Sequence, residues 1–222
     1  MRIAGQPVSW RLPDKGHLEL TYAIVQDEVA FDGAVNCGRM HSFHDLLKAS
    51  GLNEGDLTRA LKQAFARWQS VINVTFVAAT PGETPQIVLG AQSSPIGTAF
   101  TNVRLLQSDS STRTQIVGGA ICLNPERHWK VGFDGNLSSF DLEHVFTHEI
   151  GHILGLDHPG ARGHVMAFRY LETNTALSEG DIAGAVHIYG PRSQTVVSSA
   201  RRTARFAHRA AAGQTGPEMN NR

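Results

Sequence analysis

The order of apolar and polar residues in the first third of the chain predicts a strand followed by a helix. Residues 18–25 alternate between apolar and polar types and are rich in residues that favour strands. Over residues 54–70, apolar side chains recur at helical spacing, so we expect an amphipathic helix that Asn53 caps. Its buried face should consist of Leu57, Leu61, Phe65 and Trp68.

The connection between these two elements, residues 27–53, is longer than most loops in compact domains. We therefore expect it to contain a short helix, for which Ser42 is a suitable N-cap. No strand is predicted in this connection.

The rest of the pattern predicts four further strands and two helices. One helix should run from about Ser139 to Leu154, and the last should begin at Ser178 with Asp181 in the reciprocal capping position. This order of a strand, a helix, four strands and two helices predicts an α+β fold. The four strands are expected at residues 71–78, 86–91, 97–105 and 118–123.

Composition agrees with one domain followed by a tail. The chain has 222 residues and 41% hydrophobic content, enough for a domain with a sizeable core. No apolar run approaches the roughly 20 residues of a membrane-spanning helix, so no membrane span is expected. Residues 191–222 hold six of the 20 Lys and Arg residues and one of the 20 acids, which marks a boundary near Pro191.

We therefore expect a domain at residues 1–190 and a basic, disordered tail at residues 191–222. A basic tail can also contact nucleic acid, anionic lipid or a partner protein. The solvated tail is the favoured interpretation, so no nucleic-acid partner is expected, and we expect a monomer.

Residues 148–158 read HEIGHILGLDH and place three histidines and one glutamate at the spacing of a zinc site. His148 and His152 are four residues apart, so on a helix both imidazoles can reach one metal ion. Gly155 can adopt the left-handed conformation that ends a helix in a sharp turn, which brings His158 back as a third ligand. A solvated polar face is the alternative, but five fixed positions argue against coincidence.

The motif HExxHxxGxxH, followed by Met166, resembles the metzincin zinc peptidases. Residues 177–190, LSEGDIAGAVHIYG, resemble the closing helix of the matrixin branch, the relatives of matrix metalloproteinases. Weaker similarities in the expected order extend the resemblance to approximately residues 8–190.

This resemblance implies a zincin, or metzincin, fold: a five-stranded twisted mixed sheet with an antiparallel edge strand, a long active-site helix and a C-terminal helix. Thr98, Ala99 and Phe100 would lie on the edge strand that borders the substrate cleft. Because a sheet edge has unpaired N–H and C=O groups, an extended polypeptide can bind there as a further strand.

The resemblance also implies the roles of residues near the metal. Gly155 and Met166 would support the site, Met166 as a hydrophobic floor and not as a ligand. Astacins and serralysins carry a tyrosine ligand two positions after this methionine, whereas this chain has Phe168. Phe168, Arg169 and Tyr170 align with the segment that walls the main specificity pocket of matrixins, although phenylalanine replaces the usual proline.

The implied function is a zinc-dependent endopeptidase that hydrolyses peptide bonds by attack of a zinc-bound water. Glu149 would act as general base toward that water and then deliver a proton to the leaving amine. The alternative is a zinc-stabilised protein-binding domain without turnover. The intact Glu149 favours the enzyme, because a binding domain has no need of a general base.

One catalytic Zn²⁺ is the expected cofactor. Matrixins bind a second, structural zinc, but the matching positions here are Thr98 and Cys122, so we predict no structural zinc. The calcium-binding acidic cluster is replaced by residues 124–127, NPER, which does not favour calcium.

The two cysteines leave several readings open. Cys37 precedes Gly38 as in the inhibitory cysteine of matrixin propeptides, but it lies after the first strand. A Cys37–Cys122 disulfide, or two buried thiols, are each favoured over inhibition. Five further histidines are expected to be structural or at the surface: His41, His44, His128, His144 and His164.

The resemblance implies a secreted or extracellular location. The first residues, MRIAGQP, lack the apolar region of a signal peptide. The expectation is therefore export with the signal removed or by an unconventional route, or retention inside the cell with reduced thiols.

Overall fold

The computed structural model describes residues 2–3, 6–13, 16–106, 114–160, 163–173 and 176–192. The strands within these ranges are β1 (Arg2–Ile3), β2 (Gln6–Trp10), β3 (Leu18–Ile24), β4 (Val29–Ala30), β5 (Arg39–His41), β6 (Val74–Ala78), β7 (Ile87–Gln92), β8 (Ala99–Leu106), β9 (Thr114–Leu123), β10 (His128–Lys130) and β11 (Ser139–Asp141). The helices are α1 (His44–Ala49), α2 (Glu54–Gln69), α3 (Leu142–Ile153) and α4 (Glu179–Tyr189).

Five strands form the centre of the main sheet in the order β8-β9-β7-β3-β6. Four of them run parallel, whereas β8 pairs antiparallel with β9. Within the described ranges no strand pairs with the other side of β8, which is therefore an edge. This arrangement confirms the predicted α+β fold and its mixed sheet with an antiparallel edge strand.

Four short strands extend this sheet beyond the prediction. β2 pairs in parallel with the first residues of β9 and antiparallel with β1, while β5 pairs antiparallel with β4 and β7. Three of these strands have only two or three residues, too few for alternation to be recognised in a sequence. β9 also begins earlier than expected, at Thr114.

The starts of α2 and α4 agree with the sequence. Asn53 and Ser178 each accept a hydrogen bond from a backbone N–H in the first turn, and the side chains of Asp56 and Asp181 accept one in return. These reciprocal caps satisfy N–H groups that have no partner within the helix.

The starts of α1 and α3 were wrong in the sequence prediction. Ser42 does not cap α1: the N-cap residue is Phe43, with no side-chain hydrogen bond. Ser139 does not start α3, because β11 pairs in parallel with β10 and holds residues 139–141 extended. Asp141 caps α3 by accepting a hydrogen bond from the backbone of His144 at 2.7 Å.

The core between α2, α3 and the sheet fixes the position of α3. The predicted apolar face of α2 is buried throughout, and Trp68 is fully enclosed. Its indole N–H donates to the backbone carbonyl of Thr147 in α3 at 2.9 Å. Arg67 of α2 forms an ion pair with Glu143 of α3.

The C-terminal end of α3 is anchored by residues distant in sequence. The last carbonyls of a helix lack partners within it, and here Trp10 and Tyr189 supply them. The Trp10 indole N–H donates to the Ile153 carbonyl at 2.8 Å, and the Tyr189 hydroxyl donates to the Leu154 carbonyl at 2.8 Å. β2 and α4 thus hold the turn that follows the helix.

The polypeptide remains bonded to the domain just past the predicted boundary. The backbone N–H of Arg192 donates to the carbonyl of Val71 at 2.8 Å, and Pro191 forms a β-bridge with Ile72. The rest of the predicted tail, residues 193–222, lies outside the described residues. None of the described helices has the length and apolar character to cross a membrane.

A smaller apolar cluster on the other side of the sheet contains the disulfide between Cys37 and Cys122. The bond joins the 27–53 connection to β9, and the two cysteines are 85 positions apart along the chain. The sequence left open a disulfide, two buried thiols or an inhibitory cysteine, and the structure contains the disulfide.

Replacing both cysteines by alanine should lower the free energy of unfolding by about 2–4 kcal/mol, because the bond restricts a long loop in the unfolded chain. Urea denaturation of the oxidised protein and the variant measures the difference. Reductant should destabilise the wild type and leave the variant unchanged. Equal stability of the two oxidised proteins would contradict the prediction.

Candidate active site

The HEIGH segment lies on α3, and the turn after the helix depends on Gly155. Gly155 has φ +87°, a conformation that side chains other than glycine rarely adopt. A Cβ atom there would also overlap the backbone carbonyl oxygen of Val8 in β2. The chain can therefore reverse at this point and carry His158 back toward the helix.

The structure brings His148, His152 and His158 together. Their Nε2 atoms are separated by 3.1 Å (His148–His152), 3.2 Å (His148–His158) and 3.2 Å (His152–His158). Tetrahedral zinc with Zn–N bonds of about 2.0–2.1 Å needs ligand nitrogens roughly 3.3 Å apart. The three nitrogens therefore have the spacing of a zinc ligand set.

The second nitrogen of two of these rings identifies which nitrogen faces the centre. His148 Nδ1 lies 2.7 Å from the Val165 carbonyl, and His152 Nδ1 lies 2.9 Å from the Leu156 carbonyl. A carbonyl accepts only, so each Nδ1 carries the proton and each Nε2 presents a lone pair. Two Nε2 lone pairs cannot hydrogen-bond to each other, because neither nitrogen carries a proton. Nitrogen lone pairs that point to one place can instead bind a cation.

Partial desolvation favours the neutral form of these imidazoles, although His158 remains exposed. This desolvation lowers the pKa of His148 and His158 below the usual value and that of His152 to about 3. Metal ligation requires neutral histidine, so the surroundings favour the ligating form before any ion binds.

Glu149 is buried beside the triad, and one contact holds its side chain. Its Oε2 atom accepts a hydrogen bond of 2.7 Å from the hydroxyl of Thr101 on β8. Burial raises the pKa of Glu149 to about 7, and the Thr101 hydrogen bond opposes that rise. A carboxyl group with a pKa near neutrality can both take and return a proton.

Met166 lies buried against α3, in a segment that α4 supports. The carboxylate of Asp181 accepts hydrogen bonds from the backbone N–H groups of Val165 at 2.9 Å and Met166 at 3.2 Å. Since the Val165 carbonyl accepts from His148, the buried carboxylate holds the same turn that orients this imidazole. The sequence reasoning identified Asp181 only as a cap.

Gly151 lies within the HExxH segment, and the sequence reasoning did not identify its packing role. A Cβ atom at this position would overlap the sulfur of Met166 and approach Trp68 Cζ2 at 3.0 Å. The lack of a side chain thus allows Met166 to lie against α3.

Replacing Gly151 by alanine should destabilise the protein by about 1–3 kcal/mol, because the core is overpacked. It should also weaken zinc binding, since Met166 must move away from the helix that carries His148 and His152. Urea denaturation and zinc titration measure the two effects. Gly38→Ala is the matched control, since a Cβ there meets no atom within 4 Å. Equal behaviour of the two variants would refute the packing argument.

An open cleft of about 540 Å³ lies between β8, α3 and the segment after Met166. It contains the triad and Glu149. Of the other residues predicted to line it, the structure brings five to the cleft: Thr98, Ala99, Phe100, Phe168 and Tyr170. Arg169 is exposed and is not among the residues that line this cleft, so its place in the wall of the specificity pocket stays a prediction.

Phe140, His144 and Val145 are among the cleft residues that were not assigned to it from the sequence. The helical repeat offered a signal for His144, which lies one turn before His148 on the same face. Its ring packs edge-on against Tyr170, with centroids 5.1 Å apart, and burial lowers its pKa to about 4. A neutral imidazole thus lies at the inner side of the cleft.

A hydrogen-bond network outside the cleft positions Tyr170. The Tyr170 hydroxyl accepts from the backbone of Asp141 at 3.0 Å and donates to Glu172 at 2.8 Å. Glu172 is paired with Lys130. Tyr170, in the wall of the cleft, is thus hydrogen-bonded to Asp141, the residue that caps α3.

The positions aligned with the second-metal sites of matrixins have other roles here. The Thr98 carbonyl accepts a hydrogen bond from the Asn124 backbone at 2.8 Å, and Cys122 is in the disulfide. Asn124 and Arg127 both donate from their side chains to the Gly97 carbonyl, at 2.8 Å and 3.0 Å. These residues support the start of the edge strand.

Three converging histidine nitrogens, an adjacent buried glutamate on the same helix and an open sheet edge form the arrangement that the motif predicted by its resemblance to metzincins. Comparison with known proteins agrees, because the chain matches the family model described as Matrixin over residues 42–190. It is 30% identical over 157 residues to Metalloendoproteinase 1-MMP of Arabidopsis thaliana, covering 68% of this chain and 43% of that protein. It is 28% identical over 159 residues to the interstitial collagenase of Sus scrofa, covering 68% of this chain and 32% of that protein.

The chain belongs to the matrixin family, and the resemblance noted in the motif is confirmed. A third relative, Metalloendoproteinase 4-MMP of Arabidopsis thaliana, is 29% identical over 148 residues, covering 65% of this chain and 43% of that protein. The chain thus spans less than half the length of these relatives.

Proposed function

We propose that the chain is a zinc-dependent endopeptidase in which His148, His152 and His158 bind the metal and Glu149 is the general base. The observation that carries this proposal is the convergence of three Nε2 atoms, 3.1–3.2 Å apart, beside a buried carboxylate. Membership of the matrixin family supports it.

The residues of the site divide the work of peptide hydrolysis. When bound, zinc would polarise the scissile carbonyl and lower the pKa of the attacking water. Glu149 takes a proton from that water and returns one to the leaving amine. The pKa of about 7 in the metal-free chain suits a group that must do both.

The substrate is proposed to be an extended polypeptide. The outer edge of β8 offers backbone groups that can pair with such a chain, and β8 borders the triad. The recess beside the triad is lined mostly by apolar side chains, among them Phe140, Val145 and Ala167. We therefore propose a preference for substrates with an apolar side chain next to the scissile bond.

A zinc-stabilised binding domain without turnover is the weaker alternative. Such a domain would have no use for a buried carboxylate whose pKa is near neutrality beside the triad. A cleft lined by the triad and Glu149 together is the arrangement that an enzyme requires.

Cleavage of a peptide library by the purified chain tests the proposal. We expect cleavage with added zinc, loss of cleavage with chelator, and recovery when zinc is restored. A catalytically competent matrixin added to the same library is the positive control. No cleavage of any peptide by the zinc-loaded chain would favour the binding domain.

The disulfide supports a location outside the reducing cytosol. Disulfides persist mainly in oxidising compartments, and Cys37 and Cys122 are bonded and buried. We propose that the protein works in such a compartment, with one catalytic zinc and no zinc ligand at Cys122.

A further inference from the structure

We propose that Thr101 is a positioning residue for the general base, a role that rests on the proposed peptidase function. Its hydroxyl lies 2.7 Å from Glu149 Oε2 and 3.0 Å from the backbone carbonyl oxygen of Glu149. A hydroxyl has one proton, and an ionised carboxylate at the shorter distance is the stronger acceptor. Thr101 therefore donates to Oε2 while Glu149 is ionised.

The register of the edge strand places Thr101 at this position. Thr101 pairs with Ile121 across the β8–β9 ladder. Side chains on a strand alternate between faces, so Thr101 shares a face with Ala99 and Val103, which pack on the main core toward α3. Its neighbour Phe100 packs instead on the cluster around the disulfide. A shift of one residue would remove the hydroxyl from α3.

The contact leaves the two carboxylate oxygens with different surroundings. Oε2 is held by Thr101, whereas Oε1 has no hydrogen-bond partner among the described residues. Glu149 lines the cleft, so Oε1 is the oxygen available to the attacking water. By fixing Oε2, Thr101 limits rotation of the carboxylate and keeps Oε1 directed at the water. The edge strand thus orients the base as well as the substrate.

The contact itself can be measured without activity. In the metal-free chain, Thr101→Val and Glu149→Ala each remove one partner of the hydrogen bond. The combined variant should therefore show a change in Tm that differs from the sum of the single changes by roughly 2–4 °C. Thr21→Val makes the same substitution at a threonine of β3 that bonds the Gln86 backbone at 3.2 Å. It should be additive with Glu149→Ala, and additivity at Thr101 as well would overturn the contact.

The kinetic test uses the zinc-loaded chain. Thr101→Val should lower kcat about tenfold while KM stays within about twofold, because orientation of the base matters in the transition state. Thr101→Ser keeps the hydroxyl and should restore most of the rate. In a Glu149→Ala background, Thr101→Val should cause no further loss. Thr21→Val should retain the wild-type kcat and KM.

Two results would overturn the proposal. One is a wild-type kcat in Thr101→Val. The other is a loss of kcat in Thr101→Ser as large as in Thr101→Val, which would show that Thr101 acts through packing of its methyl group and not through its hydroxyl. Zinc content is measured for every variant, so a loss of metal is separated from a loss of orientation. Failure of the wild type to cleave any peptide would count against the proposed function instead, and the Tm measurements would still decide whether the contact exists.

Discussion

Replacing Glu149 by alanine is expected to lower kcat by about 10²–10⁴-fold while the zinc content stays unchanged. Glu149 is the carboxylate beside the nitrogen triad, and its side chain contacts Thr101 without being one of the three converging ligands. Removing it should therefore abolish proton transfer and leave the metal site intact. Glu149→Gln, which keeps the volume of the side chain, should show a similar loss.

Glu143→Ala, on the same helix, is the control variant for this result. The Glu143 carboxylate pairs with Arg67 and does not line the cleft, so this variant should keep kcat close to the wild-type value. Steady-state kinetics on a cleaved peptide and metal analysis of each variant provide the measurements. Cleavage that continues unchanged in Glu149→Ala would refute the role of general base.

Much of the site could be predicted because local geometry determines it. The four-residue spacing of His148 and His152 places both imidazoles on one helix face, and Gly155 provides the turn that only glycine makes readily. A strand was likewise predicted at residues 97–105, and the family resemblance implied that it is the edge of the sheet. These features depend on residues close in sequence, which a pattern can show.

The parts that were missed depend on contacts between distant segments. Thr101 meets Glu149 only because β8 lies antiparallel on β9 in one register beside α3. Trp10 reaches the end of α3 because β2 joins β9, and five residues of strand give little pattern to recognise. Alternation along β8 could have placed Thr101 on the same face as Ala99 and Val103. A sequence pattern cannot show which residue of α3 lies opposite Thr101.

The largest change in metal binding is expected for His152→Ala, which removes a nitrogen from the triad. We expect zinc affinity to fall by more than 100-fold, beyond the roughly 10–100-fold typical of residues that only orient a ligand. Zinc at about 1,000 times its Kd stabilises a native protein by roughly 4 kcal/mol. Added zinc should thus raise the Tm of the wild type and leave the Tm of His152→Ala nearly unchanged.

His128→Ala is the matched control for this prediction. His128 is an exposed histidine of β10 and does not belong to the triad, so zinc should stabilise this variant as much as the wild type. Thermal unfolding with chelator and with a zinc series gives the Kd of each protein from the concentration dependence of Tm. The same zinc-induced rise in Tm for His152→Ala and the wild type would show that the ion binds elsewhere. Because the measurement needs no substrate, it tests the metal site independently of cleavage.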